Sequence, residues 1–157
     1  MRNLTPYPSP QFSRQCEFAL GQSFGACVSG EFTADTLGAP IGTPKKAGKI
    51  ANVYLSCLQS GKDDAEDLSF TCDVYINGTT CLTTAPIIAH VSGEASQQKT
   101  TLITGDTGVT QAAMDEDANS FNPGDVITYD LVITRTASPT TEINTPCVVV
   151  ELEPVAP

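Results

Sequence analysis

The residues whose types could do chemistry are one histidine, six cysteines, a short acidic run and a cluster of three lysines. The histidine, His90, stands alone. A serine hydrolase places its histidine beside a serine in a strained elbow, and no Gly-x-Ser-x-Gly is present. In the alternation of residues 87–91, His90 falls opposite Ile87, Ala89 and Val91, which predicts an outward position at the surface or an interface. No Cys-x-x-Cys pair exists, so the spacing of a structural zinc site is missing. Asp115-Glu116-Asp117-Ala118-Asn119-Ser120 begins like a calcium loop, with oxygen ligands at alternate positions. It lacks the glycine at the sixth position, and the twelfth residue is Val126 rather than Glu. The reading is a solvated acidic loop at 115–119. No glycine-rich phosphate loop appears. These residues point to no catalytic, cofactor or metal site, and an enzyme ranks last among the function classes.

Two sets of residues suit binding instead. Lys45, Lys46 and Lys49 form the chain's basic cluster, which reads as solvated loop lysines or as a contact for an acidic partner surface. Tyr54 and Tyr75 fall on the outward faces of neighbouring candidate strands, where aromatic side chains anchor partners.

The elements that position these residues are strands. Asp73-Val74-Tyr75-Ile76-Asn77-Gly78-Thr79-Thr80-Cys81-Leu82 is a hairpin with its turn written in. Asn-Gly tolerates the positive φ angles of a type I′ turn, so Ile76 faces Thr79, Tyr75 faces Thr80 and Val74 faces Cys81. Leu68, Phe70, Cys72, Val74 and Ile76 then share the inward side, with Thr79, Cys81 and Thr83 continuing it. Residues 50–58 read as a strand with Ala51, Val53, Leu55 and Cys57 on one face. Residues 126–135 read as the longest strand, with Ile127, Tyr129, Leu131 and Ile133 together. Residues 147–152 close the chain with Val148, Val150 and Leu152 inward. Shorter strands are expected within 26–37, 87–91, 100–104 and 109–114, and 38–48, with Pro40 and Pro44, reads as a loop. Eight or nine such strands with turn chemistry between them predict an all-β antiparallel sandwich of jelly-roll type.

Cys16, Cys27, Cys57, Cys72, Cys81 and Cys147 make an even count that admits disulfides. Four of them fall on strand positions that read as inward. Cys72 and Cys81 are diagonal neighbours in the hairpin, with Cα atoms ~7–8 Å apart, which is too far to bridge without distortion. The opening Met1-Arg2-Asn3-Leu4-Thr5-Pro6 has no apolar stretch of signal-peptide length. The expectation is therefore a soluble, unprocessed chain with buried free thiols.

The chain has 157 residues, enough for one domain with a real core, and is 40% hydrophobic and 17% charged. Its net charge is −10, with only 8 Lys and Arg. Neutralising phosphates needs such cations, so neither nucleic acid nor an anionic membrane is an expected partner. Residues 1–25 differ from the rest. Pro6, Pro8 and Pro10 favour extended geometry, and Tyr7, Phe12, Phe18, Leu20 and Phe24 are too apolar for a disordered tail. They read as an extended N-terminal arm that docks on something, with the sandwich domain at 26–157.

Several of these stretches together resemble a family. Asp73-Val74-Tyr75-Ile76-Asn77-Gly78, Leu82-Thr83-Thr84-Ala85-Pro86, Asn122-Pro123-Gly124-Asp125-Val126-Ile127, Leu131-Val132-Ile133-Thr134-Arg135-Thr136-Ala137-Ser138-Pro139-Thr140 and Val148-Val149-Val150-Glu151-Leu152-Glu153 resemble small structural proteins of tailed bacteriophages, the decoration or cement proteins of the outer capsid surface. The resemblance covers roughly residues 30–154. It implies a jelly-roll-like sandwich that is usually a homotrimer, clamps subunits of the major capsid protein and works on the outside of the virion without a cofactor. A tail, fibre or host-surface-binding module of the same architecture is the alternative.

Overall fold

In a computed structural model, residues 22–63, 67–136 and 138–154 are described. Among them all regular structure is β. Eight principal strands carry the fold: β1 (Gln22–Cys27), β2 (Thr36–Gly42), β3 (Gly48–Cys57), β4 (Ser69–Ile76), β5 (Ile87–Ala89), β6 (Ser120–Phe121), β7 (Ile127–Thr134) and β8 (Cys147–Pro154). Every pairing between them is antiparallel. The first sheet runs β1-β8-β3-β6, and the second runs β5-β4-β7-β2. Thus β1 pairs with β8, β2 with β7, β3 with β6 and β4 with β5. This is a long hairpin of paired strands rolled up on itself, the winding of a jelly roll. The contacts β8–β3 and β7–β4 are the ones made by rolling.

The sheets close over one core. Val53, Leu55, Val148 and Val150 of the first sheet meet Phe70, Cys72, Val74, Ile127 and Leu131 of the second, all nearly inaccessible to solvent. Each fully buried aliphatic or aromatic side chain contributes ~1.5–3 kcal/mol relative to exposure. The pair Glu31–Phe32 and Ile143–Asn144 seals one end, where the Phe32 and Phe70 rings meet edge to face at 6.4 Å.

The 75–80 hairpin forms as its residues dictate. Tyr75 pairs with Thr80 and Ile76 with Thr79, and Asn77 and Gly78 take φ of 50° and 85°. The inward sides of β4, β7 and β8 also match the alternation, although Thr79 and Thr83 are exposed.

Other expectations are corrected. Ala51 is exposed and Ile50 is buried, because the ladder with β8 slips between Glu151 and Leu152 and shifts the alternation at the start of β3. Residues 38–42, read as part of a loop, belong to β2. Pro40 is tolerated there because β2 is an edge strand, and its ladder with β7 shifts register twice. The carboxylates of Asp35 and Asp130 accept the Ile133 and Gly38 amides beside those irregularities. His90 is buried at 6% exposure and Ile88 at 0%, while Ile87 and Ala89 are half-buried, so the side facing the core is the reverse of the one expected. Residues 87–91 are all apolar except the histidine, so the alternation itself did not define a side. Finally, β1 begins at Gln22, inside the stretch read as arm.

Candidate functional site

The outer face of the first sheet is built by register. Cys27 lies opposite Cys147, Cys147 opposite Ser56, and Ser56 opposite Thr100 of the short segment Lys99–Thr100. The next outward row is Gly25, Val149 and Tyr54. Directly paired residues share a face, so these side chains form a low surface with little charge. Cys27 and Cys147 are joined by a disulfide, with Cα atoms 4.1 Å apart and 120 residues between them in sequence. This overturns the reading of these two cysteines as free thiols. Cys27 is exposed and Cys147 half-buried, and only the rolled topology brings them face to face. Cys57, Cys72 and Cys81 are buried and unpaired, as expected, and Cys16 lies outside the described residues.

Beyond this row the surface becomes apolar. Leu58, Leu102 and Ile103 are 54%, 47% and 58% exposed. Leu58 and Ile103 flank a shallow groove of about 540 Å³, whose other walls include Ser56, Thr100, Asp106 and Cys147. The loop carrying Leu102 and Ile103 is pinned from below. The Thr101 amide donates to the Leu55 carbonyl, and the Thr101 hydroxyl accepts the Leu55 amide at 2.9 Å. Gln111 Nε2 donates to the Thr101 and Leu102 carbonyls.

Under the same loop sits a buried cation. The Lys99 side chain is fully inaccessible, and its ammonium donates to Glu94 Oε2 at 2.6 Å and to the Thr107 and Ala89 carbonyls at 2.7 and 3.2 Å. Three donors meet three acceptors, so the charge is both paired and hydrogen-bonded. Lys99 thereby ties together residues 89–107 and fixes the floor of the groove.

The outer face of the second sheet has a different character. Asp73 and Asp130 stand directly opposite one another on β4 and β7. Asp73 Oδ1 accepts the Thr80 hydroxyl at 2.5 Å and the Val74 amide at 2.8 Å. Asp130 accepts the Gly38 amide at 2.6 Å on Oδ1 and the Tyr75 hydroxyl at 3.0 Å on Oδ2. Burial, the Asp130 hydrogen bond and the Asp73 charge push the Tyr75 hydroxyl up to about 12. Donors from the chain itself therefore occupy both carboxylates.

Tyr54 and Tyr75 do not form a joint site. Strands β3 and β4 follow one another in sequence but belong to different sheets, so the two rings look out from opposite faces. Phe24 belongs to β1 and packs against this chain's own core. Its ring lies over Gly42, where a Cβ would come within 2.6 Å of it. Tyr7, Phe12, Phe18 and Leu20 lie outside the described residues. Lys45 and Lys46 are exposed on the 43–47 loop, and Lys49 sits on β3 with Glu153 at 3.6 Å. In the acidic loop, Asp115 Oδ1 accepts the Asp117 amide, and buried Asn119 brackets Ile50 through its backbone carbonyl and side-chain amide. The calcium-like spacing thus serves a turn and a strand extension.

The three unpaired thiols among the described residues are held protonated. Burial pushes the Cys57 thiol up to about 11 and, with the Asp73 charge, Cys81 up to about 12, and it raises Cys72 as well. Thiols so held stay protonated at neutral pH and are inert. His90 Nδ1 is buried without a hydrogen-bond partner.

The sequence reading missed Leu58, Leu102, Ile103 and Lys99. One signal was present. Leu102 and Ile103 are adjacent, and in a strand only one of two neighbours can face inward. No family model and no curated protein matches the chain.

Proposed function

We propose that this chain is a structural protein of a virus particle, a decoration or cement protein that sits on the outside of a tailed-phage capsid and clamps neighbouring major capsid subunits. The observation that carries the reading is the outer face of the first sheet. Exposed apolar surface marks an interaction site, and Leu58 and Ile103 flank a groove, with exposed Leu102 next to Ile103 in a loop hydrogen-bonded from beneath. A cement protein works by burying such surface across subunit boundaries and needs no catalytic group.

Three further features support it. The jelly roll is an architecture of viral capsid domains. The Cys27–Cys147 bridge suits a protein that works outside the cell, because disulfides persist on virion surfaces. A net charge of −10 suits the outside of a shell better than its DNA-facing inside. The major capsid protein is the partner, with self-association into a trimer, and neither nucleic acid nor membrane is engaged. The alternative of a tail or host-surface module drew on Tyr54 and Tyr75 as neighbours. Their placement on opposite faces leaves it no observation of its own.

Co-sedimentation with shells assembled from the cognate major capsid protein tests the reading. Ile103→Asp weakens binding by at least about tenfold, roughly 1.4 kcal/mol, while Thr134→Asp on the outer face of β7 leaves it unchanged. A wild-type chain that stays in the supernatant, or an Ile103→Asp variant that binds like wild type, overturns it.

A further inference from the structure

A sheet edge presents unpaired backbone groups that template another strand, and natural proteins guard such edges with proline, bulges, charge or shortness. Among the described residues, three of the four sheet edges are guarded. Strand β2 carries Pro40 and two register shifts. The far side of β3 is lined by two-residue segments, Ser120–Phe121 and Lys99–Thr100, and β5 is flanked by the two-residue segment Val109–Thr110. Strand β1 is different. Its six residues, Gln-Ser-Phe-Gly-Ala-Cys, include no charge and no proline.

The register shows which groups are open. The Val28 amide donates to the Pro146 carbonyl at 2.9 Å, so Val28 and the residues two and four before it, Ala26 and Phe24, bond toward β8. The Cys27–Cys147 pair, at 4.1 Å between Cα atoms, is of the close type that exchanges no hydrogen bonds. Ser23, Gly25 and Cys27 therefore turn their amides and carbonyls away from the sheet. Beside them Phe24 and Ala26 pack on the core but remain only half-buried.

The sequence just ahead of β1 carries a matching alternation. From Phe12 to Leu20, Phe12, Cys16, Phe18 and Leu20 fall on one side of a two-residue alternation, interrupted by Arg14, and Ser13, Gln15 and Glu17 fall on the other. Arg2 and Arg14 outnumber the single acid Glu17 in residues 1–21, whereas the whole chain stands at −10, so this segment is attracted to the body of the protein. At ~3.3 Å per residue, 21 residues reach ~70 Å when extended, far enough to cross to a neighbour. The residues entering β1, Ala19-Leu20-Gly21, lack the Asn-Gly pair that closes the 75–80 hairpin.

We propose that the free edge of β1 receives residues 12–20 of a neighbouring copy as an added strand, with Phe18 and Leu20 completing the cover over Phe24 and Ala26. The proposal deepens the reading of a self-associating cement protein by naming the contact between copies. Once exchanged, the strands link copies head to tail, and such contacts close into a ring when the rotation between copies permits.

Sedimentation of the full chain tests it. Gly25→Pro removes only an outward amide, and a Cβ at Gly25 meets nothing nearer than 3.6 Å, so the ladder to β8 is kept. Gly25→Pro and, separately, Phe18→Ser/Leu20→Ser each raise the self-dissociation constant at least tenfold with the melting temperature unchanged. An equimolar mixture of the two regains a dimer, because one supplies the edge and the other the strand. A wild-type monomer, variants that associate like wild type, or a mixture that stays monomeric overturns the proposal. Shell binding is measured separately. A monomer that still sediments with shells removes this contact and leaves the function reading standing.

Discussion

The two outer faces of the sandwich are made by the same alternation and put to opposite uses. On the second sheet the outward polar groups satisfy one another. Asp73 and Asp130 each accept two hydrogen bonds, from Thr80, Tyr75 and two backbone amides, so donors of the chain itself engage the charges of this face. On the first sheet the outward row is small or apolar and ends in Leu58, Leu102 and Ile103, while the polar work is done underneath, by Lys99 and Thr101. The difference teaches that exposure alone does not make a site. A surface open to binding is one whose outward groups are largely apolar and whose support is buried.

The largest expected effect comes from removing that support. Lys99→Ala leaves Glu94 and two carbonyls without their cation, and breaking such a buried pair costs about 3–5 kcal/mol. Urea unfolding should show this loss, and shell binding should fall with it. An equally stable variant would mean that the groove floor does not depend on Lys99. Next comes the bridge that ties β1 to β8. Cys147→Ser, or reduction, should lower stability by about 2–4 kcal/mol. It should also loosen β1 in hydrogen exchange while leaving the amides of β4 and β7 protected. Uniform loss of protection would show that the two sheets unfold as one unit.

The smallest effect separates the faces by pH. Tyr75, Cys57 and Cys81 have folded pKa values raised to about 12, 11 and 12, above the ordinary values of 10.0, 9.0 and 9.0. A raised folded value means stability that is complete below the ordinary value and is lost as pH climbs toward the folded one. The melting temperature should therefore fall progressively from about pH 9 to 12. Tyr75→Phe should blunt the upper part of the decline and Cys57→Ala the lower part. A flat alkaline profile would contradict both assignments.

The legible parts of the fold were those in which local chemistry leaves one answer. Asn77-Gly78 admits one turn, and that turn sets which side of β4 faces inward. β7 and β8 alternate cleanly enough to do the same. The candidate surface was much less legible. Residues 87–91 are apolar but for His90, and that one polar residue turned its side outward, Ile88 with it, where the structure buries both. The alternation turns Leu58 outward after an inward Cys57, but nothing local sets it beside Ile103. Lys99 reads as a loop lysine, because nothing in its neighbours announces that Glu94 and two carbonyls converge on it.

The sequence by itself determined the all-β class, the hairpin register, the inward faces of three strands and the acidic exterior. These follow from turn chemistry and side-chain period, which act over a few residues. The tertiary structure decided the rest. Rolling the paired strands brought Cys27 to Cys147, sent Tyr54 and Tyr75 to opposite faces, left β1 as the unguarded edge and gathered Leu58 with Ile103. Each of these depends on which strands become neighbours across long stretches of chain. That choice is made by closing one hydrophobic core, and the local pattern does not record it.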